Sequence, residues 1–309
     1  MMPTLPNASI ECRQTTGQAV PVLQPELAKR ARALRKLCTA LIAPLLIVGC
    51  ASSADVKQDN AAIKSAKSTE RRAAQAFAAG DFASAAASYA VAALVYEALA
   101  LPEPQARARL SQARALGDAG QVADAQKLVA NLLQNTDGLS VDVQTTAHGR
   151  AAALALGSDV TRAAAHVQSA LQLCANTCAQ RSAITVLRAR TELAANNPSA
   201  AAASASAALT AAQLSSTNSA QANNDRANAL RARAQAQLAL GQAAAALVDA
   251  QQALQLDQDL GFADRVALDL DLLQRASSAL GDSAGAARYG DLAQRSAAAG
   301  RTLSTGRAP

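Results

Sequence analysis

The sequence predicts an all-α protein, a solenoid of about six helical hairpins that follows an N-terminal segment of different composition. Alanine, the residue with the highest helix propensity, makes up about a quarter of the chain. From residue 63 to residue 300 no stretch alternates between apolar and polar residues as a half-buried strand would. Short breakers recur along the same stretch at similar intervals, as expected where each helix ends in a turn.

The breakers divide this stretch into pairs of helices. They centre on residues 80, 120, 158, 196, 241 and 281, which gives a period of 38 to 45 residues. The helix after each breaker carries small or apolar residues at successive offsets of four and three, and such residues lie on one face of a helix. Ala85, Tyr89 and Ala92 show this pattern most clearly. Each pair alone buries little surface, so stacking of the pairs must supply the core.

The turn Gly80-Asp81-Phe82 and the small residues after it resemble the tetratricopeptide repeat. The small residue that this family places in the first helix of each repeat is also present, at Ala73, Ala113, Ala151, Ala189 and Ala234. The resemblance covers residues 62–300 and implies a right-handed solenoid. Because the family has a period of about 34 residues, the longer spacing makes the later pairs tetratricopeptide-like. The alternative is an alanine-rich bundle whose period reflects only helix and loop lengths.

The first 49 residues have the pattern of a secretory signal. Basic residues between Lys29 and Lys36 precede an apolar run over residues 37–48. This run is shorter than the about 20 residues of a membrane-spanning helix. It ends in Ile47-Val48-Gly49-Cys50, which resembles the lipobox of bacterial lipoproteins. The resemblance implies that a diacylglyceryl group is attached to the Cys50 sulfur and that the preceding peptide is then removed. An ordinary signal peptide with an incidental Cys50 is the alternative.

These features divide the chain into four segments. Residues 1–49 are interpreted as the signal peptide, with an N-terminal extension that we attribute to a translation start downstream of Met1. Residues 50–62 are predicted to form a lipidated tether, residues 63–300 the tetratricopeptide-like repeat domain, and residues 301–309 a flexible tail. No aspartate follows Cys50 directly, which favours the outer membrane under the lipoprotein sorting rule of enteric bacteria.

The formal charge of +6 does not indicate a nucleic-acid-binding protein. Residues 1–49 hold six Lys and Arg against two Asp and Glu, so the remainder has a balance of only +2. Aromatic residues make up 2% of the chain and tryptophan is absent, which leaves few side chains for stacking on bases. The composition therefore argues against a nucleic-acid partner.

No pattern in the sequence indicates catalysis, a cofactor or a metal site. The segment from Gly281 to Gly285 fits the G-x-S-x-G nucleophile elbow of hydrolases, but that motif belongs to a turn from strand to helix. Here helices are predicted on both sides, so we interpret the motif as a repeat turn in which Ser283 caps the next helix. His148 and His166 have no acidic or thiol neighbour at metal-ligand spacing. A lipid-anchored hydrolase that uses Ser283 is the enzymatic alternative.

The five cysteines fall into two groups. Cys12 and Cys38 would leave with the signal peptide, and Cys50 would carry the lipid. Cys174 and Cys178 would remain in an exported protein, where disulfides persist. A local disulfide and two free thiols are both open interpretations, because the geometry for a disulfide within a regular helix is poor.

The resemblance to tetratricopeptide repeats implies a concave groove, lined by first helices, that holds an extended peptide or a helix. Projected onto this chain, the groove-facing residues are Arg107, Arg114, His148, Arg190, Arg231, Gln235 and Arg275. Arginine suits carboxylates, so a groove of this kind would bind an acidic partner. The Arg-Ala-Arg triplets at 107–109, 188–190 and 231–233 fall at different registers of their repeats, however, so the sequence favours a solvated helical face. We expect a non-catalytic scaffold lipoprotein that faces the periplasm and binds another envelope protein or peptide. A spacer without a specific partner is the alternative.

Overall fold

The computed structural model describes residues 60–175, 178–214 and 219–305, and it shows an all-α helical-hairpin solenoid. No strand occurs within these ranges. The described helices are α1 (Ala61–Ala78), α2 (Phe82–Ala98), α3 (Pro102–Asp118), α4 (Val122–Gln134), α5 (Val141–Ala155), α6 (Val160–Cys174), α7 (Arg181–Ala194), α8 (Pro198–Leu214), α9 (Ala220–Ala239), α10 (Ala243–Leu260), α11 (Ala263–Ala279) and α12 (Ser283–Thr305).

The helices pack in consecutive pairs, from α1 with α2 to α11 with α12, and each pair packs against the next. The first helices of neighbouring pairs also touch one another: α3 contacts α5, α5 contacts α7, α7 contacts α9 and α9 contacts α11. The second helices of neighbouring pairs are not in comparable contact. The first helices therefore form the tighter, inner layer of the stack, which we call the inner layer below.

Residues in the left-handed conformation form turns inside the pairs. Gly80, Gly120, Gly241 and Gly281 have φ angles between +73° and +82°, and Asn196 has a φ of +58°. Glycine adopts this conformation without a steric penalty, and asparagine tolerates it better than most residues. The structure places all six predicted breakers between the two helices of a pair, which confirms the helical-hairpin fold.

Aspartate side chains cap several of the second helices. The carboxylates of Asp81 and Asp159 each accept a hydrogen bond from the backbone N–H three residues further on. At α12 the cap is Asp282, whose Oδ1 accepts from the backbone N–H of Gly285 at 2.9 Å. The prediction that Ser283 caps this helix is therefore wrong by one residue, because Ser283 is already the first helical residue.

Small side chains occupy the places where helices cross. Ala73 in α1 and both Ala85 and Ala92 in α2 are fully buried, as are most alanines at equivalent positions of the later pairs. Ala151 differs, because it is only partly buried and Ala152 takes the buried position beside it. Since alanine has no side chain beyond Cβ, two helices approach closely at these crossings without leaving a void.

The helical part is longer at both ends than the sequence pattern indicated. α1 begins at Ala61, within the predicted tether, and the Asn60 side chain caps it. α12 continues to Thr305, so residues 301–305, which the sequence pattern placed in the tail, are helical. Gly290 and Gly300 lie within this helix, so glycine at these positions weakens the helix without ending it. The predicted signal peptide and Cys50 lie outside the described residues. In the part that is described, no helix combines the length and apolarity needed to cross a membrane.

Candidate functional site

A cavity of about 360 Å³ opens on the inner layer, between α1, α2, α3 and α5. Its wall consists of aromatic and aliphatic side chains, two hydroxyl side chains and three guanidinium groups. We call this cavity the arginine groove and define it by Phe77, Tyr89, Arg107, Leu110, Arg114 and Arg150. The combination of apolar surface and concentrated positive charge is the chemistry expected for an anionic ligand with apolar parts.

Arg107 holds two helices together at the rim of the groove. Its guanidinium lies 2.8 Å from Glu103 on the same helix and 3.2 Å from Asp142 on α5. Hydrogen bonding to Arg107, and secondarily to Ser140, lowers the pKa of Glu103, so this carboxylate stays ionised. The Arg107 side chain is 50% exposed, and its charge is already shared between two carboxylates.

Arg114 stacks on an aromatic ring in the groove. Its guanidinium carbon lies 4.3 Å from the ring centroid of Phe77, and its Nε lies 3.8 Å from Oδ2 of Asp118. The side chain is 44% exposed, so the ion pair with Asp118 adds little stability. The cation–π contact orients the planar fork. Arg114 therefore presents an oriented, solvent-accessible guanidinium that suits a carboxylate.

Arg150 is the buried arginine of the groove. Part of its side chain faces solvent, but its Nε is shielded and has no hydrogen-bond partner among the described residues. Burial lowers the pKa of Arg150 to about 10, with a smaller contribution from the charge of Arg114 that Asp118 partly offsets. A buried donor without an acceptor costs on the order of 1–3 kcal/mol. The groove therefore lacks an acceptor that an anionic ligand would supply.

Arg150 was not among the residues predicted to face the groove, and His148 was predicted there in its place. The structure shows that Val143, Thr146 and Arg150 line the cavity together. Their spacing of three and then four residues puts them on one face of α5. That spacing was the available signal, but choosing between the face of His148 and the face of Arg150 requires knowing how α5 packs.

Charged residues of the sixth pair of helices affect the pKa of Asp118, which lies beside the arginine groove. Asp118, the last residue of α3, has a pKa that is raised mainly by burial, and Asp264 and Arg265 at the start of α11 also influence it. Arg265 has a pKa lowered by burial, with smaller effects of Arg231 and Arg114. Charges influence one another in this way only at short range, because salt screens longer interactions. Asp264 and Arg265 of α11 therefore lie near enough to Asp118 of α3 to affect its pKa.

The inner layer carries most of the basic side chains. The six first helices contain sixteen Lys and Arg against nine Asp and Glu, whereas the six second helices contain five against six. A concave surface lined by one sign of charge concentrates its potential and attracts ions of the opposite sign. The net charge after residue 49 is close to zero, but positive charge is concentrated on the first helices. This unequal distribution favours an anionic ligand on the inner layer.

Arg231 is not available to a partner, which corrects its prediction as a groove residue. It is 8% exposed, and its Nε donates a hydrogen bond to Oδ1 of Asp269 at 2.7 Å. Its other nitrogens contact Asp257 and Asn228. Both aspartates are fully buried, so this guanidinium neutralises internal charge and links α9 to α10 and α11. The sequence spacing could not show that two aspartates from later helices converge on it.

The other predicted groove residues are dispersed. Arg107 and Arg114 line the arginine groove, whereas His148, Arg190, Gln235 and Arg275 do not. Arg190 is exposed on α7. Loss of hydration beside neighbouring residues lowers its pKa, and the charge of Arg231 lowers it further. Gln235 is half-buried on α9. Arg275 is 56% exposed and lies 3.9 Å from Asp271. His148 contacts His166.

Cys174 and Cys178 are joined by a disulfide, with their Cα atoms 5.1 Å apart. α6 ends at Cys174, and Ala175 has a φ of +47°, so the chain leaves the helix before it reaches Cys178. The poor geometry of a regular helix therefore does not apply here. The bond connects the end of α6 to the segment that leads into α7.

The G-x-S-x-G motif spans the turn after α11 and the first residues of α12. α11 ends at Ala279 and α12 begins at Ser283, so helices stand on both sides of the motif. The hydrolase motif requires a strand before the serine. In the ranges that the structure covers, no group of three or more His, Cys, Asp or Glu side chains is arranged to hold a metal ion.

The comparisons with known proteins concern the fold. No protein-family model matches the chain, and no curated protein matches it. Among solved structures, the chain is similar to the crystal structure of BtubC (BKLC) from P. vanneervenii. The TM-score is 0.52 and the sequence identity is 18%, over 78% of this chain and 92% of that chain. At this identity the likeness shows a common helical-repeat fold, and fold alone does not specify function.

Proposed function

We propose that this chain is a non-catalytic adaptor that binds an acidic segment of another protein on its inner layer. Arg150 carries the proposal, because its buried Nε has no acceptor. A carboxylate in the groove would supply that acceptor and would also meet the accessible guanidinium of Arg114. Hydrogen bonds between ionised partners contribute more than neutral ones, so this pair of arginines would provide most of the binding free energy.

An extended acidic peptide fits the charge distribution better than a compact anion does. The groove opens onto the inner layer, where Arg190 and Arg265 continue the positive charge beyond the cavity. Alternate side chains of an extended peptide point to the same side, so successive carboxylates can meet successive arginines. Phe77 and Tyr89 offer apolar surface for the remaining side chains.

We further propose that the adaptor is a bacterial lipoprotein, anchored through Cys50 in the outer membrane and facing the periplasm. The support is the basic segment, the short apolar run and the Gly49-Cys50 exit, followed by Ala51 and Ser52. The partner is then an envelope protein. Confinement to one membrane raises the effective concentration of adaptor and partner, so a groove of modest affinity is sufficient for capture.

Peptide binding to the full chain tests the adaptor proposal. The probe is a short fluorescent peptide of alternating Glu and Ala, and its counterpart replaces every Glu by Gln. The variant is Arg150→Gln. The matched control is Arg295→Gln, because Arg295 is 70% exposed on the second helix of its pair and lies 3.6 Å from Asp291. Fluorescence anisotropy gives the dissociation constants.

We expect the Glu peptide to bind and Arg150→Gln to weaken it by about ten-fold or more, the equivalent of one hydrogen bond to a charged group. Arg295→Gln should leave the affinity unchanged. Arg150→Gln should not lower the free energy of unfolding, because it removes a shielded Nε that has no hydrogen-bond acceptor. Equal binding of the Glu and Gln peptides, or equal effects of the two variants, would refute the proposal.

A further inference from the structure

His148 on α5 and His166 on α6 face each other within the third pair of helices. Their Nδ1 atoms lie 3.2 Å apart, and their ring centroids are 5.4 Å apart with the ring planes inclined at 46°. Both side chains are half-buried. Burial lowers the pKa of both residues, so both imidazoles are uncharged at neutral pH. Two uncharged rings thus direct their Nδ1 atoms at the same small volume.

We propose that His148 and His166 form a binding site for a divalent transition-metal ion, with the two Nδ1 atoms as ligands and water in the remaining positions. A tetrahedral ion with metal–nitrogen bonds of about 2.0–2.1 Å holds two ligand nitrogens about 3.3–3.4 Å apart. The observed separation of 3.2 Å is close to this value. The spacing of these histidines along the chain does not indicate a metal site, but packing of α5 on α6 brings them together.

A single N–H···N hydrogen bond explains the same distance in the metal-free protein. In that state one Nδ1 carries the proton and the other accepts it. When the ion binds, the donating ring changes to the tautomer that is protonated at Nε2, and both Nδ1 lone pairs turn towards the ion. Only small rotations of the two rings are needed, because their nitrogens are already at about the required separation.

The ligand atoms limit the ions that fit. Uncharged imidazole suits zinc, copper and nickel, whereas magnesium and calcium take oxygen ligands. Two protein ligands give a modest affinity, and the charge of Arg162 opposes any cation beside His166. Asp159 lies 3.7 Å from Arg162 and partly offsets that charge. The site is therefore expected to bind zinc, copper or nickel and not magnesium.

A metal ion here would link the two helices of the third pair. The ligands are 18 residues apart and belong to helices joined by a short turn, so the ion would bind the folded hairpin and stabilise it. α5 also carries Arg150, two residues after His148. The inference stands on the histidine geometry alone and does not rest on the proposed adaptor function.

The chain contains only these two histidines, which makes the site testable in the full chain purified without a polyhistidine tag. Free thiols are first blocked with iodoacetamide, because cysteines also bind these metals. Zn²⁺, Ni²⁺ and Mg²⁺ are titrated by calorimetry, and the histidines are labelled with ¹⁵N so that NMR reports each ring nitrogen. The variants are His148→Gln and His166→Gln. Arg162→Gln is the variant expected to change affinity in the opposite direction.

We expect one Zn²⁺ or Ni²⁺ per chain, no binding of Mg²⁺, and zinc-induced shifts of both Nδ1 resonances. Each histidine variant should weaken binding by roughly ten-fold or more, as expected when a ligand is lost, and Arg162→Gln should tighten it. If Zn²⁺ leaves both Nδ1 resonances unchanged, or if the histidine variants bind as tightly as the parent, the site does not exist. The NMR result on the parent chain decides the question even where a variant fails to fold.

Discussion

The Nε of Arg231 lies 2.7 Å from Oδ1 of Asp269, and the carboxylate that it contacts is fully buried. Asp257, also fully buried, contacts the same guanidinium from α10. One cation therefore serves two internal carboxylates from different helices. Removing one partner from such a group leaves charge in a medium that solvates it poorly, so Arg231 is expected to be essential to the stability of the last two pairs.

Arg231→Met should lower the free energy of unfolding by about 3–5 kcal/mol, the range measured when one partner of a buried ion pair is removed. Denaturation in urea, followed by circular dichroism, measures the change. Arg275→Met is the matched control, because Arg275 is 56% exposed and its nearest carboxylate oxygen is 3.9 Å away. The control should change stability by less than about 1 kcal/mol. Equal losses in the two variants would contradict the role of Arg231.

The contribution of Asp269 to the free energy of unfolding should be larger at acidic pH than at neutral pH. Burial raises the pKa of Asp269 to about 6, against the lowering effect of Arg231. Its folded-state pKa exceeds the unfolded value of about 3.9, so the folded state binds the extra proton. The resulting stability is fully present below about pH 4 and is lost as the pH rises through about 6.

Asp269→Asn isolates this contribution. The difference in unfolding free energy between parent and variant should change by on the order of 1–3 kcal/mol between pH 4 and pH 7, with the parent losing more as the pH rises. A ¹³C titration of the Asp269 carboxyl gives the pKa directly. A midpoint near 4 in the folded protein would show that Arg231 cancels the effect of burial and would contradict this prediction.

Gly120 should resist replacement by alanine for a conformational reason alone. Its φ is +82°, and a Cβ at this position would meet nothing within 4 Å. Gly120→Ala should therefore cost about 1–2 kcal/mol, the penalty of the left-handed conformation, without any steric clash. Gly157→Ala is the control, because that position is equally open and lacks a positive φ. It should be neutral or should stabilise by about 0.4–1 kcal/mol. Thermal or urea unfolding distinguishes the two outcomes.

Cys50 should be the first residue of the mature protein and should carry lipid. Intact-mass analysis of the protein from bacterial membranes should show that residues 1–49 are absent and that acyl groups are present. Cys50→Ala should abolish both the lipid and the membrane association, because no other anchor is predicted. Cys38→Ala is the control within the leader and should leave the lipid in place. Mature protein that retains residues 1–49 would overturn the lipoprotein proposal.

The hairpin architecture was predictable because its causes are local. Gly120 and Gly281 end helices through a conformation that few other residues tolerate, and Asp81 begins the next helix through a hydrogen bond three residues away. Buried alanines such as Ala92 recur at helical spacing. Each of these effects acts within a few residues, so the sequence pattern shows it directly.

The candidate site was only partly predictable. Arg107 and Arg114 were assigned to the groove by their position in a first helix, and both line it. Arg150 was missed and Arg231 was assigned wrongly, because burial depends on which carboxylates other helices bring near. His148 and Arg150 are only two residues apart on α5 but have different neighbours, and sequence spacing alone does not say which of them faces the groove.

The sequence by itself determined that this protein is a stack of helical pairs and where those pairs turn. Those properties follow from interactions between residues close in the chain. Only the tertiary structure decided that Arg150 lacks an acceptor, that Arg231 is neutralised inside the protein and that the two histidines meet. These three properties depend on how the helices pack against one another, because that packing brings together side chains 18 to 38 residues apart in the sequence.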